Sequence, residues 1–250
     1  MMYGPPLRRT THDAAVERIA GWIVQGRFPA GSVLPTEIAL GEQLGVSRTV
    51  VREAAKVLAA KGMVEARKRV GTRVLAQACW HLLDPAVVGW MLRGPRRIEL
   101  IRDLIEIRLA NEPFAAELAA ARRDSEDLAA LRTAFHRMET SVDGDTGAYN
   151  AADLDFHTRL LTASQNALLL QLVPALQVVL NLAFTATNIS VARARRSLPY
   201  HGAVLDAVAR GDGPAARQAM EVIVRYAGHE IVGDLEVEAI EQARRPAMPG

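Results

Sequence analysis

A mainly α chain in two parts is expected: two short helices with a small basic hairpin, then an all-α helical bundle. Three observations predict it. The composition is 50% hydrophobic, 23% charged and only 5% aromatic over 250 residues, the Ala/Leu/Val-rich balance of a helical protein long enough for two domains. Residues 31–74 carry two short amphipathic stretches about a tight turn, followed by a short basic hairpin. From residue 85 onward helical patterns succeed one another without a strand signal.

The first helix is expected over Asp13–Gln25, with Val16, Ile19, Ala20 and Ile23 inward. Thr36 caps the second, with Glu37 in its first turn and Ile38, Leu40 and Leu44 on one apolar face. Gly45 ends it, because glycine accepts positive φ. Ser47 caps the third, whose inward stripe is Val50, Val51, Ala54, Val57 and Leu58. Its solvent side carries Arg48, Thr49, Arg52 and Lys56. Met63–Ala66 and Thr72–Val74 read as two strands joined by Arg67, Lys68, Arg69, Val70 and Gly71. This is the layout of a winged helix-turn-helix. A helix that buries one face and presents cations near its start suits a DNA major groove, and a cationic hairpin tip suits phosphates or a minor groove.

Charge is distributed accordingly. Residues 1–76 hold 12 Lys+Arg against 6 Asp+Glu, and residues 77–250 hold 18 against 22. The basic excess is confined to the part expected to meet a polyanion.

Several short motifs recur in order here: Leu34-Pro35-Thr36-Glu37, Gly45-Val46-Ser47-Arg48-Thr49, Val51-Arg52-Glu53-Ala54, Leu58, Gly62 and Gly71-Thr72-Arg73-Val74. Together they resemble the GntR family of bacterial transcription regulators over residues 12–76. That resemblance implies base or phosphate contacts by Arg48 and Arg52, a backbone contact by Thr49, and wing-tip contacts by Lys68 and Arg69. Lys56 lies on the same face. Many family members carry an Arg directly after the Leu-Pro-x-Glu motif; Ile38 stands there in this chain, so any contact from that position is lost.

Residues 1–10 read as a mobile tail, 11–76 as the DNA-binding domain, 77–96 as a linker with a short helix, 97–243 as an all-α effector-binding and dimerisation domain, and 244–250 as a disordered tail. In the linker, Trp80 and Leu82–Leu83 are candidates to dock on a domain surface. Helices are expected over roughly 85–92, 97–121, 124–141, 146–163, 167–188, 196–210 and 214–243. The uncharged run from Leu160 to Ala192 is interrupted by Gln171, Pro174, Gln177 and Asn181, and reads as a helix buried by neighbours rather than a membrane span. A single cysteine, Cys79, permits no internal disulfide, and no Cys cluster could hold structural zinc. The N-terminus has no apolar signal-peptide core, and a reduced, cytoplasmic compartment is expected.

Asp153 and His157 stand at i,i+4 and so share a helix face; Leu154 and Phe156 lie to either side, and Leu160 and Leu161 continue a buried stripe that would point the pair inward. By spacing alone they fit a surface pair, a salt-bridged core histidine, or two ligands of zinc, nickel or a similar divalent ion. Arg108 lies in an apolar helical stretch, where its fork suits a bidentate grip on a carboxylate or a pair with Glu112 at i+4. The order Glu106-x-Arg108, Glu112-Pro113, Asp153-x-x-x-His157, Asn166 and His201 is similar to the ligand-sensing domain of the GntR subfamily named after the fatty-acid regulator. The pattern covers roughly residues 97–232 and looks most like the sugar-acid branch, such as regulators answering to galactonate. The resemblance implies a divalent metal on Asp153, His157 and His201, a small carboxylate effector near it, and Arg108 as an effector contact. The family's fourth ligand, a His on the last long helix, has no counterpart: Ile223 occupies that spacing, and His229 lies six residues on. Asn188 and Asn181 are further candidates for effector hydrogen bonds. His12, His81, His136 and His229 read as surface or linker residues, and Arg193, Arg195 and Arg196 as a solvated basic loop, with steering of an anionic effector as the alternative. The functions to weigh are a homodimeric regulator reading a palindromic double-stranded operator and, as an alternative, a metal-dependent enzyme using the Asp/His/His set.

Overall fold

The structure is a computed structural model that describes residues 11–174 and 191–244, with side chains described up to residue 233. The expectations for the two tails, for Asn181 and Asn188, and for the helix beyond residue 174 lie outside the described residues. The chain divides into two compact units, Met1–Arg97 and Ile98–Gly250.

The first unit is the expected winged helix-turn-helix. Helix α1 spans Thr11–Val24 and buries Ala15, Val16, Ile19, Ala20 and Ile23. Helix α2 spans Glu37–Leu44; the Thr36 hydroxyl accepts from the Ala39 amide, and Gly45 closes the helix at φ 68°. Helix α3 spans Arg48–Ala60, capped by Ser47, and buries Val51, Ala54 and Leu58 against α1 and α2. Strands β1 (Val64–Arg67) and β2 (Gly71–Val74) pair antiparallel, with Val64 opposite Val74 and Arg67 opposite Gly71. Met63, assigned to the strand from sequence, precedes it as a fully buried plug whose amide donates to the Leu58 carbonyl.

The stretch after the wing folds back onto the same unit. The His81 amide donates to the Lys61 carbonyl, and Lys61 Nζ lies 2.7 Å from Asp84 Oδ2. Asp84 also caps the short helix α4 (Pro85–Met91). At the far end of α4, Trp90 Nε1 donates to Glu17 Oε1 on α1 and Arg93 Nη2 to Glu17 Oε2, each at 2.8 Å. Trp80 donates to the Leu75 carbonyl, whereas Leu82 and Leu83 remain exposed. This return depends on Gly62, which leaves α3 at φ +72°, where an added Cβ would collide with the Cys79 carbonyl. A left-handed backbone costs a non-glycine residue about 1–3 kcal/mol before any clash. Gly62→Ala should therefore lower the melting temperature of this unit by at least about 5 °C in a thermal scan; an unchanged transition would contradict the packing.

In the second unit α5 (Arg97–Arg122), α6 (Ser125–Ser141), α7 (Thr146–Ala163), α8 (Ala167–Leu170), α9 (Val191–Arg210) and α10 (Gly213–Arg244) form an all-α bundle. An Asp124–Asp127 capping box starts α6, and Asp145 caps α7. The core is built of Ala116, Ala119 and Ala120 from α5, Leu131, Ala134 and Met138 from α6, Phe156 and Leu160 from α7, Val204 and Val208 from α9, and Met220 and Val224 from α10. The small alanines let the helices approach closely, and the larger side chains fill the layers between them.

Two boundaries differ from expectation. The helix expected from 167 pauses after Leu170 in a turn at Gln171–Leu172, because Pro174 cannot donate the amide that would carry the helix through. Helix α9 begins at Val191 rather than residue 196 and runs across Pro199. Arg193, Arg195 and Arg196 are therefore helical, not a loop: burial of Arg193 and Ala194 outweighs the one backbone hydrogen bond that proline forfeits. No helix among the described residues is long and apolar enough to cross a membrane.

Candidate functional site

Two groups of side chains carry chemistry, one in each unit. In the first, α3 buries Val51, Ala54 and Leu58 and exposes Arg48, Thr49, Arg52 and Lys56, so the four residues singled out from sequence share a solvent face. Lys68 and Arg69 are exposed at the wing tip, where Arg69 takes φ 65°. One partner was not anticipated. Glu37, at the start of α2, accepts from Arg48 Nε at 2.7 Å, from Arg52 Nε at 3.0 Å and from Arg52 Nη2 at 2.9 Å. These hydrogen bonds from Arg52 and Arg48 hold the Glu37 carboxyl down at about 2.

The second group lies inside the bundle. Along α7, Tyr149, Asp153 and His157 follow at four-residue intervals on the buried face. Along α9, Arg193, Ser197 and His201 do the same. The two stripes face each other, so that Asp153, His157 and His201 bring one potential ligand atom each to within 4.8 Å of one another. All three are buried, at 6%, 4% and 1% exposure, which eliminates the surface pair as a reading of Asp153 and His157. The His157 and His201 rings stand 5.4 Å apart at 84°, and Phe156 packs edge-on to both.

Hydrogen bonding around the histidines suits a cation. His201 Nδ1 lies 3.0 Å from the Ser197 carbonyl, which can only accept, so Nδ1 carries the proton and Nε2 turns to Asp153 Oδ1 at 2.8 Å. Two electron-rich atoms at that separation need a proton or a metal ion to hold them together. Glu112 Oε2 lies 2.9 Å from His157 Nδ1. In spite of these approaches, His157 Nδ1 and His201 Nε2 are both buried without a satisfactory hydrogen bond. Orphaned imidazole nitrogens beside a carboxylate are a donor set that fits zinc, nickel or a similar ion.

Arg108 is 2% exposed and forks onto Glu112, with Nε–Oε1 at 2.6 Å and Nη2–Oε2 at 3.2 Å. Of its two readings from sequence, the i+4 pair is therefore present, while Nη1 stays outside that fork and Arg108 also lines the cavity beside the Asp/His/His set. Burial alone would raise the Glu112 carboxyl, but Arg108 and His157 outweigh it and hold the group well below its usual range. Asp153 is lowered in the same way, burial being overcome chiefly by His201. Burial, reinforced by the Asp153 charge, pushes the Tyr149 phenol well above its usual value.

The cavity has a volume of about 40 Å³ and is lined by both stripes together with Ile223, Tyr226, Ala227 and Ile231 of α10. Ile223 is buried in its wall and His229 is exposed, so no fourth imidazole enters it from that helix among the described residues. The buried position of Arg193, expected in a solvated loop, was not anticipated from sequence. Arg193 is only 7% exposed, lies 3.9 Å from Glu230 Oε2 through Nε and lines the cavity; Arg195 pairs with Asp143, and Arg196 with Tyr226 and Glu230. Its spacing from His201, eight residues along a helix, was the available signal. His81, His136 and His229 are exposed and His12 is half-buried. Asn188 lies outside the described residues.

Residues 11–74 match the bacterial regulatory proteins of the gntR family, and residues 103–226 match the FCD domain. The chain is 35% identical over 211 residues to YieP of Escherichia coli, an uncharacterized HTH-type transcriptional regulator, covering 84% of this chain and 90% of the relative. The chain belongs to the GntR family. As a GntR-family protein with an FCD domain it is a DNA-binding transcription regulator and not an enzyme, so the alternative of a metal-dependent enzyme falls. Another relative of this GntR-family chain is the galactonate operon transcriptional repressor of Escherichia coli, 34% identical over 208 residues, with 83% and 90% of the two chains covered. Among solved structures, Streptococcus agalactiae GntR aligns at a TM-score of 0.51 with 25% identity, covering 87% of this chain and 99% of that one.

Proposed function

We propose that this GntR-family regulator is a cytoplasmic, homodimeric repressor. Its two α3 helices read a palindromic operator, and a small carboxylate releases it. The observation that carries the DNA half is the division of α3 into a buried Val51/Ala54/Leu58 face and an exposed Arg48/Thr49/Arg52/Lys56 face, with Lys68 and Arg69 at the neighbouring wing tip. Cations on a helix with one buried face suit base edges and phosphates in the major groove, and the wing adds phosphate contacts.

The effector half rests on the bundle cavity. Asp153, His157 and His201 would hold a divalent ion, zinc or nickel, which when bound supplies positive charge for a carboxylate oxygen. Arg108 and Arg193 add guanidinium groups on the same wall and suit a small organic acid. The relative named for the galactonate operon favours a sugar acid and favours repression. A cavity of about 40 Å³ takes an ion and one or two waters but not a six-carbon acid. The effector therefore selects a bundle with a wider pocket, and it releases DNA only as far as that state prefers the unbound head.

The test uses duplexes selected by the protein from a randomised library. Arg48→Ala or Arg52→Ala should each weaken binding to the selected duplex by about tenfold or more in gel shifts. Mobility shifts equal to the parent's would remove α3 from the interface.

A further inference from the structure

We infer that Glu37 is a positioning residue that sets the specificity of the DNA interface, holding Arg48 and Arg52 in a base-reading pose and restraining them from indiscriminate phosphate binding. This rests on the reading above, in which those two arginines meet DNA.

Glu37 is not on α3. It is the first residue of α2, placed there by the Thr36 cap, and reaches across the turn to residues eleven and fifteen positions later. Both its oxygens are used: Oε2 accepts from Arg48 Nε and Arg52 Nη2, and Oε1 accepts from Arg52 Nε. One carboxylate thus clamps two arginines on successive turns of one helix face. Glu37 and Arg48 also line a groove whose other wall carries Val70, Gly71 and Thr72, so the clamp sits between helix and wing.

Stability does not account for this arrangement. The Arg48, Arg52 and Glu37 side chains are 62%, 49% and 32% exposed, and ion pairs in water at such exposure contribute little. What the clamp changes is the state of the arginines. Glu37 takes the Nε edge of Arg48 and leaves Nη1 and Nη2 outside the contact, the paired donors that match guanine O6 and N7. Arg52, held through Nε and Nη2, keeps Nη1 outside it. Two long side chains that would otherwise be ordered on docking are already ordered, which favours the correct base contact over a loose one. The carboxylate also lowers the local charge from two to one, which weakens attraction to any phosphate backbone regardless of sequence. Glu37 remains ionised at any physiological pH, because the two guanidiniums hold its carboxyl at about 2.

Two substitutions in the full-length protein separate charge from position. Glu37→Gln removes the charge, and Glu37→Asp keeps it but withdraws the carboxylate by one methylene. Each is compared with the parent on a duplex selected by the parent from a randomised library and on a shuffled duplex of the same composition, across a salt titration. Glu37→Gln should bind the shuffled duplex severalfold more tightly, steepen the dependence of log affinity on log salt by about one, and lower the selected-to-shuffled ratio by about tenfold. Glu37→Asp should keep the parent's salt slope and still lose the ratio. Melting temperatures close to the parent's would exclude a folding defect as the cause. A ratio and slope unchanged in Glu37→Gln would overturn the inference, as would an unchanged ratio in Glu37→Asp should the Gln variant fold poorly. A parent that selects no sequence and shows no salt-dependent binding would instead overturn the underlying assignment of α3 and, with it, this one.

Discussion

Glu112→Ala is expected to melt about 10 °C below the parent, the largest stability loss anticipated from a single side chain in the bundle. Arg108 and Glu112 are 2% and 1% exposed and bound through two parallel contacts, and Glu112 also approaches His157 at 2.9 Å. Removing one partner leaves a guanidinium buried without its counter-charge, which costs about 3–5 kcal/mol. In a domain of this size each kcal/mol moves the midpoint by about 2–4 °C. The companion double variant, Arg108→Met with Glu112→Leu, removes both charges and fills similar volume, and should recover most of that loss because no guanidinium is left buried without its counter-charge. Differential scanning calorimetry of the three proteins checks this. A Glu112→Ala midpoint within 2 °C of the parent's would show that the pair does not hold the bundle together. The double variant also bears on the two readings of Arg108: a folded bundle with a preserved response to carboxylates confines the guanidinium to its partner.

The second large effect concerns the ligand cluster. Asp153→Ala combined with His157→Ala should reduce bound zinc or nickel from about one equivalent per chain to near zero, because two of three converging donors vanish. Elemental analysis after dialysis against metal-free buffer measures it, and equal content in parent and variant would reject the site. Chelator should lower the parent's melting temperature and leave the variant's unchanged, since only a folded protein that binds the ion gains stability from it.

Local elements were legible where a short-range rule acts alone. The caps at Thr36 and Ser47, the left-handed Gly45, the inward face of α3 and the antiparallel wing all follow from spacing within a dozen residues, and each appears at its expected place. The inward direction of Asp153 and His157 was readable too, because Leu160 and Leu161 continue the same buried stripe. Arg193 shows how such a rule is overridden. Three arginines in four residues read as solvated, yet one of them faces inward at four-residue intervals from Ser197 and His201, and its burial extends α9 by a turn. The segment after the wing carries its expected short helix at Pro85–Met91, but the partner of that helix was not legible: Trp90 and Arg93 meet a glutamate more than seventy residues earlier, which no local pattern can announce.

From the residues alone came the order of helices and hairpin, the cationic face of α3 and the presence of a carboxylate and imidazoles at helical spacing, since periodicity and capping act between neighbours along the chain. The fold alone decided which of those groups meet. Packing α7 against α9 brought His201 to Asp153, the approach of α5 to α7 brought the Glu112 carboxylate to His157, and the turn between α2 and α3 brought Glu37 to both arginines. Contacts between separate helices depend on how side-chain layers interlock in three dimensions, and that geometry is set by the whole core rather than by any one segment.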